Sequence, residues 1–476
     1  MRIFPRRVVR RIPSRAQGRI PAATLASTLL LLGVARPAAP QVRAPLPAAP
    51  AATRLGELYA AVERDNPKIA AARALVRAAQ ARVPAASKLP DPQFQLGFMN
   101  YSLPGLAPMQ SLGMTQLQLM QMVPLGGKLS LAGRVAEAQA AAADERVQEV
   151  VWELRSQAAM AFYDLYATDR QLAVSRETLR LLQDIALTTE SMYRVGGGRQ
   201  ADVLRAQVEV AKMAEDTLRM TAMRQAMVAR LDALLDRDVA AGVATPELPQ
   251  FPDSLPAQGR LDSLAASTRP LIRAGLEEVR AADAAATLAR KEIIPDLQVG
   301  VQYGQRGAPM TDATGMTERT TERMGSLMIG ASIPLFARAR QLQMRTEANA
   351  MMAMAEADLA AMRAETRGRI GEAYANLTRA RRLQQLYRTT VLPQAEATVA
   401  SALSAYRVGQ VDFMTLLDDR TTVNEYRKEL ATLEADEGKA WAELEMLTGH
   451  QLLDANRTAR AAADATTAAT TKRGVR

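Results

Sequence analysis

Pro92-Gln93-Phe94-Gln95-Leu96-Gly97 returns 203 residues downstream as Pro295-Asp296-Leu297-Gln298-Val299-Gly300, with proline, glutamine and glycine in ungapped register. In both copies apolar residues alternate with glutamine, glycine or aspartate, the period of an extended strand with one apolar face and one polar or small face. Each copy has a return strand. Leu117 and Leu119 alternate with Gln116 and Gln118, and Leu327, Ile329, Ala331 and Ile333 alternate with Met328, Gly330 and Ser332. Strands of about ten residues with this alternation follow the pattern of a membrane-spanning β-barrel. The spacing predicts two β-hairpins and four such strands.

The repeat extends far beyond the hairpins. Asn66-Pro67 matches Arg269-Pro270 at the same offset, and Tyr193-Arg194-Val195-Gly196 recurs as Tyr406-Arg407-Val408-Gly409 at an offset of 213, which also places Val203-Leu204 on Leu416-Leu417. A period of this length is much longer than a solenoid unit and reads as duplication of a half-protein. The chain divides into a first repeat over residues 53–240, a linker over 241–260 and a second repeat over 261–450.

Between the hairpins lie long helical stretches. From Lys128 to Arg194 no proline interrupts a run rich in Ala, Leu, Glu, Gln and Arg, and Val151, Ala158, Leu165, Leu172, Leu179, Ala186 and Tyr193 recur every seventh residue as a coiled-coil seam. At ~1.5 Å per residue such a helix is about 100 Å long, more than a compact globular domain can hold. The second copy runs from Ala337 to Tyr406, with Pro393 as its one interruption and expected kink. Each long helix stops at a glycine, Gly196 or Gly409, and a second helix follows over about 200–236 and 412–448. Antiparallel helices meeting at a tight tip follow. Gly196-Gly197-Gly198 is no phosphate loop, because no strand precedes it and no Lys-Ser/Thr follows.

The ends carry the charge. Seven arginines without an acid in residues 1–35, and a surplus of three basic groups in 451–476, account for the whole net charge of +10 and leave 36–450 neutral. A nucleic-acid footprint on the folded body is thereby excluded. The arginines precede an apolar run at Leu25–Val34 and small residues ending at Ala35, which is the order of a signal peptide over residues 1–35. Residues 36–52, rich in Pro and Ala, read as an extended tether, and 451–476 as a disordered Ala/Thr-rich tail. With no cysteine, disulfides, thiolate metal sites and a lipidated N-terminal cysteine are all excluded.

Four strands do not close a membrane barrel, since an open edge in hydrocarbon leaves backbone groups unpaired at several kcal/mol each. Several chains must share one barrel.

These residues resemble the TolC family of outer-membrane efflux proteins over about 53–450. The resemblance is carried by the Asn/Arg-Pro helix starts, the Pro-Gln/Asp strand starts, the strand exits Val123-Pro124-Leu125-Gly126-Gly127-Lys128 and Ile333-Pro334-Leu335-Phe336, and both Tyr-Arg-Val-Gly tips. It implies a mainly α fold with a small β part, in which long antiparallel helical hairpins form an α-barrel. In a homotrimer, four strands per chain would make a 12-stranded β-barrel in the outer membrane of a Gram-negative-type bacterium. Its expected partners are outer-membrane lipid, a periplasmic adaptor (membrane fusion) protein and an inner-membrane pump. The expected function is a passive exit duct for small molecules or ions in a tripartite efflux system.

Carried over by residue, the resemblance assigns adaptor docking to Arg194, Val195, Gly196, Asp202 and Leu204 in one tip, and to Arg407, Val408, Gly409, Leu416 and Leu417 in the other. It assigns the periplasmic gate to Asp418, with Asp419 beside it, and Thr415 departs from the family pattern, where some members have a second aspartate. Read without the resemblance, the two aspartates are a solvated patch in the first turns of a helix, where negative charge is favourable. The alternative for the whole chain is a secreted coiled-coil structural or adhesion protein without a pore, which explains the seams and leaves the hairpins unexplained.

No catalytic group or cofactor site is expected. His450 is the only histidine, and no nucleophile, base and orienting residue stand at a recognisable spacing. The 23 methionines suggest soft-metal handling, yet Met213, Met220, Met227 and Leu234 recur every seventh residue as a packing seam would.

Overall fold

The computed structural model describes residues 53–453, except 103, 106, 109–112, 239–242, 312–313 and 409. The signal peptide, the tether, the tail beyond Leu453 and Gly409 lie outside the described residues. Residues 451–453, assigned above to the tail, belong to the fold instead. Leu453 is buried among Leu261, Trp441 and Leu444, and the Leu452 and Leu453 amides donate to Glu445 Oε1 at 2.8 and 2.7 Å. Apolar burial, invisible to a compositional boundary, extends the second repeat by these three residues.

Each repeat opens on a short helix that breaks at a proline and restarts. Helices α1 (Leu55–Asp65) and α2 (Pro67–Ser87) are separated by Asn66, whose side chain caps α2 by accepting from the Lys68 amide at 2.9 Å, with Pro67 at the position where no amide donor is required. Asn66 Nδ2 also donates to Leu234 O at 2.8 Å, tying this break to the far end of the repeat. In the second repeat, α5 (Gln258–Thr268) and α6 (Pro270–Lys291) meet at Arg269.

The four expected strands form one antiparallel sheet. Strand β1 (Gln93–Met99) is followed by the short β2 (Tyr101–Ser102) and β3 (Ala107–Pro108), then by β4 (Met114–Val123); β5 (Leu297–Thr311) and β6 (Thr317–Ala331) come from the second repeat. The order is β1-β4-β5-β6, so the two hairpins join edge to edge at β4 and β5. The strands of the second hairpin run 15 residues, longer than the expected ten, and β6 ends at Ala331, before Ile333. Register puts Leu96, Leu117, Tyr303 and Gly325 in one row and Phe94, Leu119, Val301 and Leu327 in the next. Phe94, Leu96, Val301, Leu327 and Ile329 are all more than half exposed. An apolar exposed face of this kind on a sheet with two unpaired edges suits hydrocarbon outside and further strands at either side.

The helical hairpins follow. Helix α3 (Lys128–Arg194) is a single helix of 67 residues, and α4 (Gln200–Leu234) returns along it. In the second repeat α7 (Gln341–Leu386) begins later than Ala337. The interruption expected at Pro393 takes the form of a π-helical turn over Tyr387–Val391, after which α8 (Leu392–Arg407) continues and α9 (Phe413–Thr448) returns. Proline lacks the amide donor that its turn needs. The turn widens, and the Leu392 amide bonds Tyr387 O, five residues back.

The heptad seam of α3 is buried at Ala158, Leu165 and Leu172 and loosens toward the tip, where Tyr193 is 44 % exposed. One core packs α1, α3, the end of α4 and α9 around Phe162, Tyr163 and Leu231. A second packs α5, α7 and α9 around Ile370, Leu377 and Trp441. The seam methionines of α4 belong to packing: Met220 is buried against Ser175, and Met213 and Met227 lie against the tip and central cores.

The repeats are interlocked. Arg269, only 4 % exposed, donates to Thr366 Oγ1 at 2.6 Å and to Glu149 Oε1 at 3.0 Å, while Glu149 Oε2 accepts from the Leu271 amide at 3.1 Å. Helix α6 of the second repeat is thus capped by a carboxylate from α3 of the first. Where sheet meets helices, Lys128 is buried and its Nζ donates to Ile294 O and Asp296 Oδ1, both at 2.8 Å.

Candidate functional site

The first tip is a glycine-stopped turn. Gly196 has φ +80°, a conformation that costs a residue with a β-carbon, and its amide donates to Tyr193 O at 3.0 Å while the Gly197 amide reaches Met192 O at 2.9 Å. The chain beyond it presents an apolar and basic surface. Val195 is 81 % exposed and Leu204 55 %, Arg194 is exposed and loosely paired with Glu190 at 3.8 Å, and Asp202 stands partly exposed in the first turn of α4.

The second tip differs in one important way. Val408 is 69 % exposed, like its counterpart, but Leu416 and Leu417 are 1 % and 5 % exposed, and Leu417 packs with Phe413, Leu182 and Ala206. These two leucines hold the turn together and offer a partner no surface. Of Arg407 the structure gives the place, the last residue of α8, and Gly409 lies outside the described residues.

Helix α9 is capped where α4 is not. Asp412 accepts from the Thr415 amide at 3.0 Å and from its hydroxyl at 2.6 Å, and these hydrogen bonds hold its carboxyl below the usual range. Thr415 therefore serves the cap. Arg199, which the 213 offset matches to Asp412, provides no side-chain cap to α4. One turn further along α9, Asp418 is exposed and Asp419 partly exposed, and neither has an ion-pair partner among the described residues. They are consecutive on one helix, so they lie about 100° apart around its axis, and only Asp418 is fully open to solvent.

A layer of charges ties the helices together behind the tips. Asp216 of α4 accepts from Lys428 of α9 at 2.7 Å, from Ser175 of α3 at 2.9 Å, and from Arg219. Burial alone would raise its carboxyl, but these donors outweigh that and hold it below the usual range. Arg427 bridges Glu396 of α8 at 2.7 Å and Glu177 of α3 at 3.4 Å. Sequence reading missed these groups, since the partners that join one helix to another lie 31 to 250 residues apart. The Asp-x-x-Thr cap was readable from local spacing alone.

Among the described residues there is no group of three or more His, Cys, Asp or Glu side chains placed to hold a metal, and no helix is long and apolar enough to cross a membrane.

An exposed apolar sheet with unpaired edges, set on helical hairpins whose longest helix, α3, runs about 100 Å, defines a membrane-anchored duct component. The family model described as outer membrane efflux protein matches residues 58–237 and 261–450, and the chain belongs to that family. The double match reflects the duplication. The chain is 25 % identical over 316 residues to the cobalt-zinc-cadmium resistance protein CzcC of Cupriavidus metallidurans, covering 64 % of this chain and 70 % of that protein. Its fold is similar to that of CusC, at TM-score 0.70 and 16 % identity over 84 % of this chain and 92 % of that one. It is similar also to VceC of Vibrio cholerae, at TM-score 0.70 and 17 % identity over 83 % and 96 %. The protein is an outer-membrane efflux channel component, and its family is one of transport ducts, not of enzymes. The poreless coiled-coil reading is set aside.

Proposed function

We propose that the chain forms a homotrimeric exit duct, passive in itself, through which an inner-membrane pump and a periplasmic adaptor expel small molecules or ions. The observation that carries this reading is the sheet: four strands, two unpaired edges and one apolar face. Pairing β6 of one copy with β1 of the next satisfies both edges; two copies would make an eight-stranded ring whose interior side chains fill, and three make a twelve-stranded ring with room for a duct. Adaptor docking falls to the exposed tip residues Arg194, Val195, Gly196, Asp202, Leu204 and Val408, with Arg407 and Gly409 at the second turn and Leu416 and Leu417 supporting it. Asp418 and Asp419 narrow the periplasmic entrance and favour cations. Mass measurement in mild detergent tests the assembly: three chains are expected, and a stable lipid-embedded monomer sinks the reading. The substrate is chosen upstream by the pump, so resemblance to CzcC supports metal ions as one cargo class without selecting a metal.

A further inference from the structure

The sheet places its methionines on one face. Met99, Met114, Met120, Met122, Met324 and Met328 all share the side opposite Phe94, Leu117, Val301 and Leu327, by the register of the four strands. A thioether is apolar enough for hydrocarbon to accept it, so polarity does not explain its absence from the apolar face. On the reading of the sheet as barrel wall, this second face is the lumen. Apart from methionine it carries glutamine, glycine and serine at the level of Gln298 to Gly304, with no charged residue on any of the four strands. The ion pair Arg306–Glu322, at 2.8 Å, stands at the next row beyond.

Two glycines organise these side chains. Gly300 lies in register between Met120 and Met328, and a β-carbon on it would stand 3.0 Å from Met120 Cγ and 3.6 Å from Met328 Cε. Both thioethers therefore lean over the same bare patch of backbone. Gly304 offers a similar gap: Met324 is its register partner on β6, and from one row further along β4 Met114 Sδ would lie 3.1 Å from its β-carbon. Along β5 the two glycines are four residues apart, about 13 Å. At the first row Gln118 Nε2 sits 2.7 Å from Met120 Sδ, which uses one sulfur lone pair and leaves the other.

We propose that each glycine-centred methionine pair is a weak site for a soft monovalent d10 cation such as Ag⁺ or Cu⁺. Two neutral thioethers suit a soft ion of low charge and suit Zn²⁺ or Co²⁺ poorly, since those favour imidazole, thiolate or carboxylate donors; the setting is uncharged around Gly300, while Met114 of the second pair is the register partner of Arg306, whose guanidinium is paired with Glu322. The inference rests on the duct reading, from which it takes the direction of the lumen. Two sites along the wall would make a stepped path, each weak enough to release its ion.

The test uses the full-length protein in nitrate salts, comparing wild type with Met120→Leu/Met328→Leu and with the quadruple variant that adds Met114→Leu and Met324→Leu. Leucine keeps the volume and removes the sulfur. Calorimetric titration with AgNO₃ should show sites in wild type that weaken at least about tenfold in the quadruple variant, with half of them lost in the double variant. Zn(NO₃)₂ should not distinguish the proteins. Heat resistance of the oligomer and conductance without silver should be unchanged, which separates loss of the sites from loss of the fold. The same silver isotherm in wild type and quadruple variant overturns the proposal, as does no silver binding by wild type. Absence of any conductance in wild type counts against the duct reading instead, while the titration still decides the sites.

Discussion

The ring of Tyr163 occupies the space beside Gly438 where any other residue would place its β-carbon: that atom would fall 2.2 Å from Tyr163 Cε1 and 2.4 Å from Cζ. Gly438 in the middle of α9 is thus the hole into which α3 drops an aromatic ring, and Phe162 and Phe251 close around it.

Gly438→Ala should destabilise the fold despite the better helix propensity of alanine. The propensity gain is at most about 1 kcal/mol, and overpacking a buried ring costs about 1–3 kcal/mol. Thermal unfolding in detergent should show the loss, and Tyr163→Leu in the same chain should recover part of it. Tyr163→Phe is expected to be neutral or stabilising by about 1 kcal/mol, because the buried Tyr163 hydroxyl has no hydrogen-bond partner.

At the first tip, Gly196→Val forces a β-branched residue to φ +80°, at a local cost of about 1–2 kcal/mol. Adaptor cross-linking should fall while insertion into the outer membrane is retained. Unchanged cross-linking would show that this turn is not the docking surface. Leu204→Ser, at an exposed position, should reduce docking with little effect on stability; Leu417→Ser, at a buried one, should do the reverse.

Asp418→Asn/Asp419→Asn should abolish block of the channel by polyvalent cations from the periplasmic side and lower cation preference, leaving the proposed trimer intact. Single-channel recording decides this. Identical block in the double variant returns both residues to the role of a solvated helix face. The proposed methionine sites predict a separate, silver-specific effect, and the two variants should not affect each other's phenotype.

Stability should respond to pH through two carboxyls of opposite sign. Asp216 titrates below its usual value, so its contribution is present above the unfolded value of about 4 and is lost as pH falls below it. Glu445 is pushed up by burial, against the pull of the Leu453 and Leu452 amides. Its folded form holds a proton more tightly than the unfolded chain, and its cost when ionised is relieved as pH falls toward and through that raised value. Asp216→Asn should flatten the loss of stability below about pH 4. Glu445→Gln should remove the gain seen on mild acidification. Melting curves across this range distinguish the two.

Period-2 and period-7 patterns made the hairpins and α3 legible from sequence, because alternation and the seam are local properties of the chain. The helix from about Lys128 to Arg194 was readable with its ends, since the Pro-Leu-Gly-Gly before it and the glycines after it are strong stop signals. The π-helical turn was not readable, since proline fixes where a donor is missing and packing decides how the helix adjusts. Burial of Leu416 and Leu417 was equally hidden. Their counterparts Val203 and Leu204 look alike in sequence, and it is the packing of Leu417 with Phe413 and Leu182 that buries the second pair. The Asp216–Lys428 and Glu149–Arg269 pairs join distant segments, which no spacing rule reaches.

The join between β4 and β5 has a consequence for symmetry. Within one chain it links the two hairpins edge to edge, and the proposed trimer repeats that same kind of join between β6 and the next β1. Seen around the ring, every hairpin then has the same two neighbours, and the molecule approximates a sixfold object in which alternate joints are covalently tethered by the linker. An ancestor of half the length, assembling as six copies, would have met the same contacts. Fusion of the halves would halve the encounters needed for closure and free the paired tips to differ, as they do at the capping Asp412 and the non-capping Arg199.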